Sequence, residues 1–266
     1  MEIFGYVAAV LIGVSLGLIG GGGSILTVPV LVYLLQVEPV TATAYSLFIV
    51  GLTSLVGSGT YMKKNLVSYK TALVFSVPSF LAVFITRKYI MPALPDVFFT
   101  AGDFELTKNL FVMLFFAVLM IMASISMIRD KKPEYDGNDI IYNYPLIMIE
   151  GFIIGILTGL VGAGGGFLII PALVILAKLP MKMAVGTSLL IIAAKSLIGF
   201  SGDLGIQRNI DWILLSMVSI LAVLGIFAGS YLSKFVSAKR LKPAFGWFVM
   251  VMGIYIISKE FFFTKV

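Results

Sequence analysis

Lys195 stands in SLLIIAAKSLIGF, the one basic residue set well inside an apolar run. An ammonium at such a place is costly, faces protein or a wet cavity rather than lipid, and is functional by default. Two structural readings stay open beside that one: snorkelling to an interface, or a pair with a carboxylate such as Glu150 or Asp203. The chain also carries two glycine clusters, GLIGGGGSILTVP at 17–29 and GLVGAGGGFLIIP at 159–171. Gly20, Gly21, Gly22 and Gly23 before Ser24, and Gly162, Gly164, Gly165 and Gly166, can take positive φ and let another group approach the backbone closely. A short helix that begins at such a turn offers free N–H groups and a partial positive charge, which suit an anion. Close helix packing is the competing use of glycine, and Gly13–Gly17 and Gly155–Gly159, each four apart, fit it. Hydroxyls complete the set. Ser188, Ile192, Lys195, Gly199 and Gly202 lie within about 40° of one helical face, as do Ser46, Val50, Thr53 and Gly57.

A cation, helix ends and hydroxyls are equipment for holding a small anion. With no cysteine and no histidine, thiolate and imidazole ligands and Cys or His catalysis are unavailable, so neither an enzyme nor a metal or cofactor site is expected.

The elements that position these residues are membrane helices. The chain of 266 residues is 60% apolar and 12% charged, with a mean hydropathy of +1.08, whereas soluble domains carry about 25% charged residues. Its charges gather in short stretches such as YMKKNLVSYK, RDKKPEYDGND and SAKRLKP. The runs between them reach the roughly 17–25 residues that cross a bilayer as helix. A multi-pass protein of the cell (cytoplasmic) membrane is expected, with MEIFGYVAAVLIG, which lacks a positive n-region, as its first membrane segment. The positive-inside bias and lipid headgroups account for the net charge of +6, so lipid is an expected partner and nucleic acid is not.

Shifted by 142 positions, Gly13–Gly59 aligns with Gly155–Ser201 without a gap, and 18 of 47 columns are identical. Among them are Gly17/Gly159, Pro29/Pro171, Ser46/Ser188 and Ser54/Ser196. The chain divides into a first repeat (1–128), a polar cytoplasmic linker (129–143) and a second repeat (144–266). Each repeat has a broken block (3–35; 144–177) and three further blocks: 40–59 and 182–200, 66–86 and 211–233, 107–128 and 241–263. Residues 24–35 reach only about 18 Å as helix, too short to cross alone, so each broken block reads as a hairpin that dips in and returns. Twelve Lys and Arg then share one face, and only Arg87, Lys88, Lys108, Arg208, Lys259 and Lys265 fall on the other. Single crossings would instead divide them evenly, against the positive-inside bias. The expected fold is an all-α integral membrane protein of two inverted repeats, each a glycine-broken re-entrant helical hairpin plus three transmembrane helices. TRKYIMPALPDVFFTAGDFELTK (86–108) reads as a connector.

The paired hairpins, the proline after each, and TAYSLFIVGLTSLVGSG matched with AVGTSLLIIAAKSLIGFSGDL resemble the TauE/SafE, or sulfite exporter, family of membrane transporters, most clearly over 5–60 and 147–205. The resemblance implies export or uptake of small sulfur-containing anions, such as sulfite, organosulfonates or thiosulfate, driven by an ion gradient, with a proton or sodium ion as coupling partner. It maps the family's glycine turns onto Gly20–Gly23 and Gly162–Gly166, and its polar helix positions onto Ser46, Thr53, Ser54, Thr187, Ser188 and Ser196. Lys195 stands where the family pattern has a neutral amide or hydroxyl. An anion channel using the same site is the alternative.

The charge division generates a test. Single cysteines at Lys64, Lys131, Lys182 and Lys239 are expected to be shielded from an impermeant thiol reagent applied to intact cells. Labelling at Lys64 or Lys239 from outside would overturn the inverted arrangement.

Overall fold

The computed structural model describes residues 2–101, 104–129, 144–175, 177–204, 210–233, 235 and 238–263. The linker residues 130–143, and with them Lys131, lie outside the described residues, as do Arg208 and Lys265. The described chain is almost entirely helical: α1 (Glu2–Ile19), a 3-10 turn (Gly20–Leu26), α2 (Thr27–Tyr33), α3 (Pro39–Met62) and α4 (Tyr69–Ile85) come first. A π-helical turn (Thr86–Ile90) and α5 (Met91–Ala93) extend α4, and a two-stranded antiparallel hairpin, β1 (Val97–Ala101) and β2 (Phe104–Thr107), follows. Then come α6 (Lys108–Arg129), α7 (Tyr144–Val161), α8 (Gly166–Ile175), α9 (Met181–Asp203), α10 (Trp212–Leu232) and α11 (Ala238–Phe263). The connector expected at 86–108 is thus helix as far as Ala93, and its second part is a β-hairpin.

Among the described residues, seven helical stretches are long and apolar enough to cross a membrane, and the protein is a multi-pass integral membrane protein. The first of the seven, Ile3–Tyr33, is not one rod. A Cβ at Gly5 would strike the Leu35 side chain, and one at Gly23 would strike the backbone at Leu16, so α2 runs back alongside α1. Ile12 and Leu16 accordingly pack with Leu26 and Val30. The reversal turns on Gly20, whose φ of +75° is one that L side chains rarely adopt.

The second hairpin reverses through Gly162, Gly164 and Gly165, at φ of +73°, +64° and +71°. Positive φ was equally open to all the clustered glycines in sequence, but Gly21, Gly22 and Gly23 wind instead into the 3-10 turn. Local backbone recurs at the 142-residue shift: Val37 N bonds Leu31 O at 2.9 Å and Leu179 N bonds Leu173 O at 3.1 Å. Gln36 and Lys178, related by the same shift, both have positive φ.

Helix directions follow from the close approaches. On α3 and α9, Gly51 faces Leu197 and Gly186 faces Tyr61, so the two run antiparallel. On α6 and α11, Gly246 faces Ile128 and Gly253 faces Ile121, again antiparallel. Each hairpin lies parallel to a helix of the other half. Gly13 meets Ala222 and Gly17 meets Ile226 on α10, while Gly155 faces Ser79 and Gly159 faces Thr86 in the α4 rod, each too closely to admit a methyl group. The small-residue faces legible in sequence are therefore packing faces. Large apolar residues such as Leu73, Val77 and Leu81 on α4, and Ile213, Ile220 and Leu224 on α10, point outward, as lipid contact demands.

These conformations set two glycines apart. At Gly162→Ala the new Cβ meets positive φ and the Thr43 carbonyl, so a loss of about 1–3 kcal/mol is expected. At Gly59→Ala, within α3, the Cβ meets nothing within 4 Å, and a gain of about 0.5–1 kcal/mol is expected. Thermal unfolding of the two variants in detergent checks both signs.

Candidate anion site

The two hairpins do not meet tip to tip. Gly20 rests against Val185, near the start of α9, where an added Cβ would lie 2.6 Å from Val185 Cγ1, and Gly162 abuts the Thr43 carbonyl, near the start of α3. Each tip thus runs past the middle of the bundle, and the returning arms touch where they pass. A Cβ at Gly21 would lie 2.5 Å from Gly166 Cα, with Ile192 beside it. A Cβ at Gly164 would meet Val50 Cγ1 at 2.6 Å, Ile192 Cγ2 at 3.2 Å and Ser24 Cβ at 3.4 Å. Gly21, Ser24, Gly164, Gly166, Val50 and Ile192 therefore come together at the crossing of α3 and α9.

Lys195 borders this cluster. Its side chain is 0% exposed; Nζ donates to Thr158 Oγ1 at 2.8 Å and would lie 2.8 Å from a Cβ at Gly165. Thr158 can accept because its own hydroxyl proton goes to Ile154 O at 2.7 Å. No carboxylate among the described residues forms an ion pair with Lys195, and Asp203, a partner considered from sequence, stands beside Arg87 instead. Snorkelling is excluded by the complete burial. The ammonium thus keeps two of its three protons for another acceptor, at the turn where α8 begins and where Leu168 N and Ile169 N both donate to Gly165 O at 3.0 Å.

The hydroxyls divide. Ser46, Ser54 and Ser196 are 0% exposed and make no hydrogen bond through Oγ to any described group, which leaves three buried donors on α3 and α9, within one turn of Val50 and Ile192 in sequence. Thr53 gives its proton to Ile49 O at 2.6 Å, Ser188 to Val185 O at 2.8 Å, and Ser24 to Gly21 O at 2.7 Å. Thr187 accepts from Ser68 N at 2.9 Å, tying down the α3–α4 loop at the end of the bundle, away from the crossing. Of the glycines, Gly22 carries the least constraint, with Ile19 Cγ2 3.1 Å from its built Cβ, and Gly23 serves the hairpin's own packing.

Sequence reasoning missed two residues. Thr158 gave no signal, since a lone threonine in an apolar helix is common and its repeat-mate is Leu16. Arg87 was placed outside the membrane, yet it is 1% exposed within the bundle and its Nε lies 3.5 Å from Asp203 Oδ2. The apolar pattern that ends at Ile85 hid the helix that continues through Arg87.

Comparison with known proteins agrees with this architecture. Residues 6–256 match the profile of the family described as sulfite exporter TauE/SafE. A probable membrane transporter protein of Xylella fastidiosa (strain 9a5c) is 28% identical over 258 residues, covering 94% of this chain and 92% of its own. The probable membrane transporter protein YunE of Bacillus subtilis (strain 168) is 28% identical over 272 residues, covering 95% and 94%. MJ0441 of Methanocaldococcus jannaschii, also a probable membrane transporter protein, is 36% identical over 124 residues, covering 44% and 45%. No solved structure matches the chain.

The Lys195–Thr158 bond is open to a double-mutant cycle. Thr158→Val leaves a buried ammonium without its acceptor and is expected to cost about 1.5–3 kcal/mol. In a Lys195→Met background the same change should cost much less. Equal costs in both backgrounds, read from thermal unfolding, would show that the bond carries no energy.

Proposed function

The chain belongs to the sulfite exporter TauE/SafE family of membrane transporters, and from that premise we propose that it is a secondary transporter of a small sulfur-containing anion across the cytoplasmic membrane. The anion is held between the Gly162–Gly166 turn with Lys195 on one side and the Gly21–Ser24 arm on the other, within reach of Ser54 and Ser196. The observation that carries this reading is Lys195: a wholly buried ammonium with a neutral threonine for its partner. Burying a cation without a counter-ion costs several kcal/mol, and a transported anion supplies that counter-ion only while it is bound. Charge-assisted bonds to a sulfonate or sulfite oxygen suit a primary ammonium.

Alternating access needs two related halves, and the antiparallel approach of repeat-mates, α3 with α9 and α6 with α11, supports inverted copies. The basic residues Lys63, Lys64, Lys70, Arg129, Lys178 and Lys182 follow or precede helix ends at the side of the α3–α4 loop, which supports a cytoplasmic placement for that side. The sulfur chemistry rests on the family alone.

Purified protein in liposomes, offered labelled sulfite, thiosulfate and isethionate with and without proton and sodium gradients, is expected to show saturable, gradient-driven flux. Lys195→Met should weaken anion binding about 10- to 200-fold, the loss of one charge-assisted bond, while the protein still folds. Unchanged affinity with a large loss of stability would make Lys195 structural, and single-channel conductance would replace the carrier with a channel.

A further inference from the structure

Two buried ionisable side chains stand outside that site. Arg87, on the π-helical turn, is 1% exposed and Asp203, in the last turn of α9, is 5% exposed. Arg87 Nε lies 3.5 Å from Asp203 Oδ2, longer than the roughly 2.7–2.9 Å of a charge-assisted hydrogen bond. Nε and Nη2 of Arg87 and Oδ2 of Asp203 make no hydrogen bond to any described group. A buried guanidinium normally binds acceptors through several nitrogens in a fork, so this one retains capacity for an oxyanion.

Its surroundings link it to Lys195. A Cβ at Gly202 would lie 3.2 Å from Arg87 Cβ, and one at Gly159 2.7 Å from Thr86 Cβ, so the π turn, α7 and α9 come to near-backbone contact. Thr158, adjacent to Gly159, is the residue that holds Lys195. Both cations therefore lie along one seam between α7, α9 and the α4 rod, about 12 Å apart along α9 at 1.5 Å per residue from Lys195 to Asp203.

We propose that Arg87 is a second anion subsite on the path to Lys195, and that Asp203 occupies it until the carboxylate takes up a proton and yields the guanidinium to the entering anion. The inference rests on the anion-transport reading above. Charge conservation in a buried place motivates the proton. Arg87 and Asp203 together are neutral. A monovalent oxyanion on Arg87 restores neutrality only if an O–H bond forms on Asp203, with the proton drawn from water at the mouth. Each anion entering by this route then brings one proton, and the step is electroneutral.

Among the described residues, few other charges bear on Asp203. Lys88, next to Arg87, is exposed, with Nζ 5.3 Å from the Phe84 ring centroid and 5.7 Å from that of Tyr89. From α7 come Thr158 and Gly159, neither titratable. On α9 the nearest charge is Lys195, and at the foot of α10 Asp211 bonds through its amide to Tyr45 Oη at 2.6 Å.

The test uses the full chain in liposomes with isethionate, a sulfonate that does not titrate between pH 5 and pH 8. An inward proton gradient should concentrate label in the wild type. Asp203→Asn should abolish that accumulation while exchange of label at equal pH continues. Arg87→Gln should raise the half-saturating concentration tenfold or more in both assays. Should either single variant fold poorly, the Arg87→Gln/Asp203→Asn double variant, which buries no charge here, is expected to fold with accumulation lost and affinity weakened. Proton-driven accumulation retained in Asp203→Asn, or wild-type affinity and coupling in the double variant, would overturn the proposal and leave the pair structural. A wild type that moves none of the three anions under any gradient would instead sink the transporter reading itself.

Discussion

A backbone that leaves its helix inside a membrane must find partners or shelter there, because hydrocarbon offers no hydrogen bonds. This chain breaks its helix twice at depth, and the bundle is arranged around hiding those breaks. The first turn is sheltered by α9 at Val185 and the second by α3 at Thr43, while Gly21 and Gly166 press their backbones together between them. Each hairpin takes its shelter from the opposite half. The arms pass at a distance that excludes even a methyl group, so the glycines there are fixed by contact as well as by conformation. Packing elsewhere also relies on close approach: lipid gives helices no hydrophobic reason to associate, and their tightest contacts fall at glycines such as Gly13, Gly155 and Gly225, while large side chains such as Phe75, Phe116 and Met120 fill the remaining interior.

The fold was largely legible because its signals are local or periodic. Charge clusters marked the helix ends, an ungapped repeat marked the halves, and a run too short to span marked the hairpins. The site was legible only in part. Lys195 announced itself by its setting in an apolar run, and Ser54 and Ser196 by their match in the repeat and by the family resemblance. What remained hidden depends on tertiary contact between the halves. Nothing in the sequence near Thr158 says that a lysine from α9 reaches it. Arg87 resembles any basic residue that closes a membrane helix, and nothing near it in sequence shows that Asp203 comes alongside from the other half. Likewise Thr187 stands next to Ser188 in sequence, yet the α3–α4 loop claims its hydroxyl. Which of several neighbouring glycines takes positive φ is decided by what each turn packs against, and that too is absent from the sequence.

The two halves repeat in backbone but not in charge. At positions related by the shift, Lys195 answers to Thr53, Thr158 to Leu16 and Asp203 to Tyr61. The seam beside the second hairpin therefore holds the side chains of Lys195, Arg87 and Asp203, while its counterpart beside the first packs Gly13 and Gly17 against the backbone of α10 at Ala222, Gly225, Ile226 and Gly229. Duplication supplied the same scaffold twice, and later substitutions placed the charged side chains beside one copy of it alone.

Each hairpin is clasped by a helix from the opposite half, and this bears on how the protein is made. The glycine face of α1 is complementary to α10, which emerges from the ribosome some 200 residues later. At about 5–20 residues per second, α1 waits roughly 10–40 seconds for its permanent neighbour. During that interval a hairpin with a broken helix at its tip and a bare stripe at Gly13 and Gly17 has no lasting shelter. The first half of this chain is thus a segment whose safe insertion depends on whatever holds it in the membrane until the second half arrives.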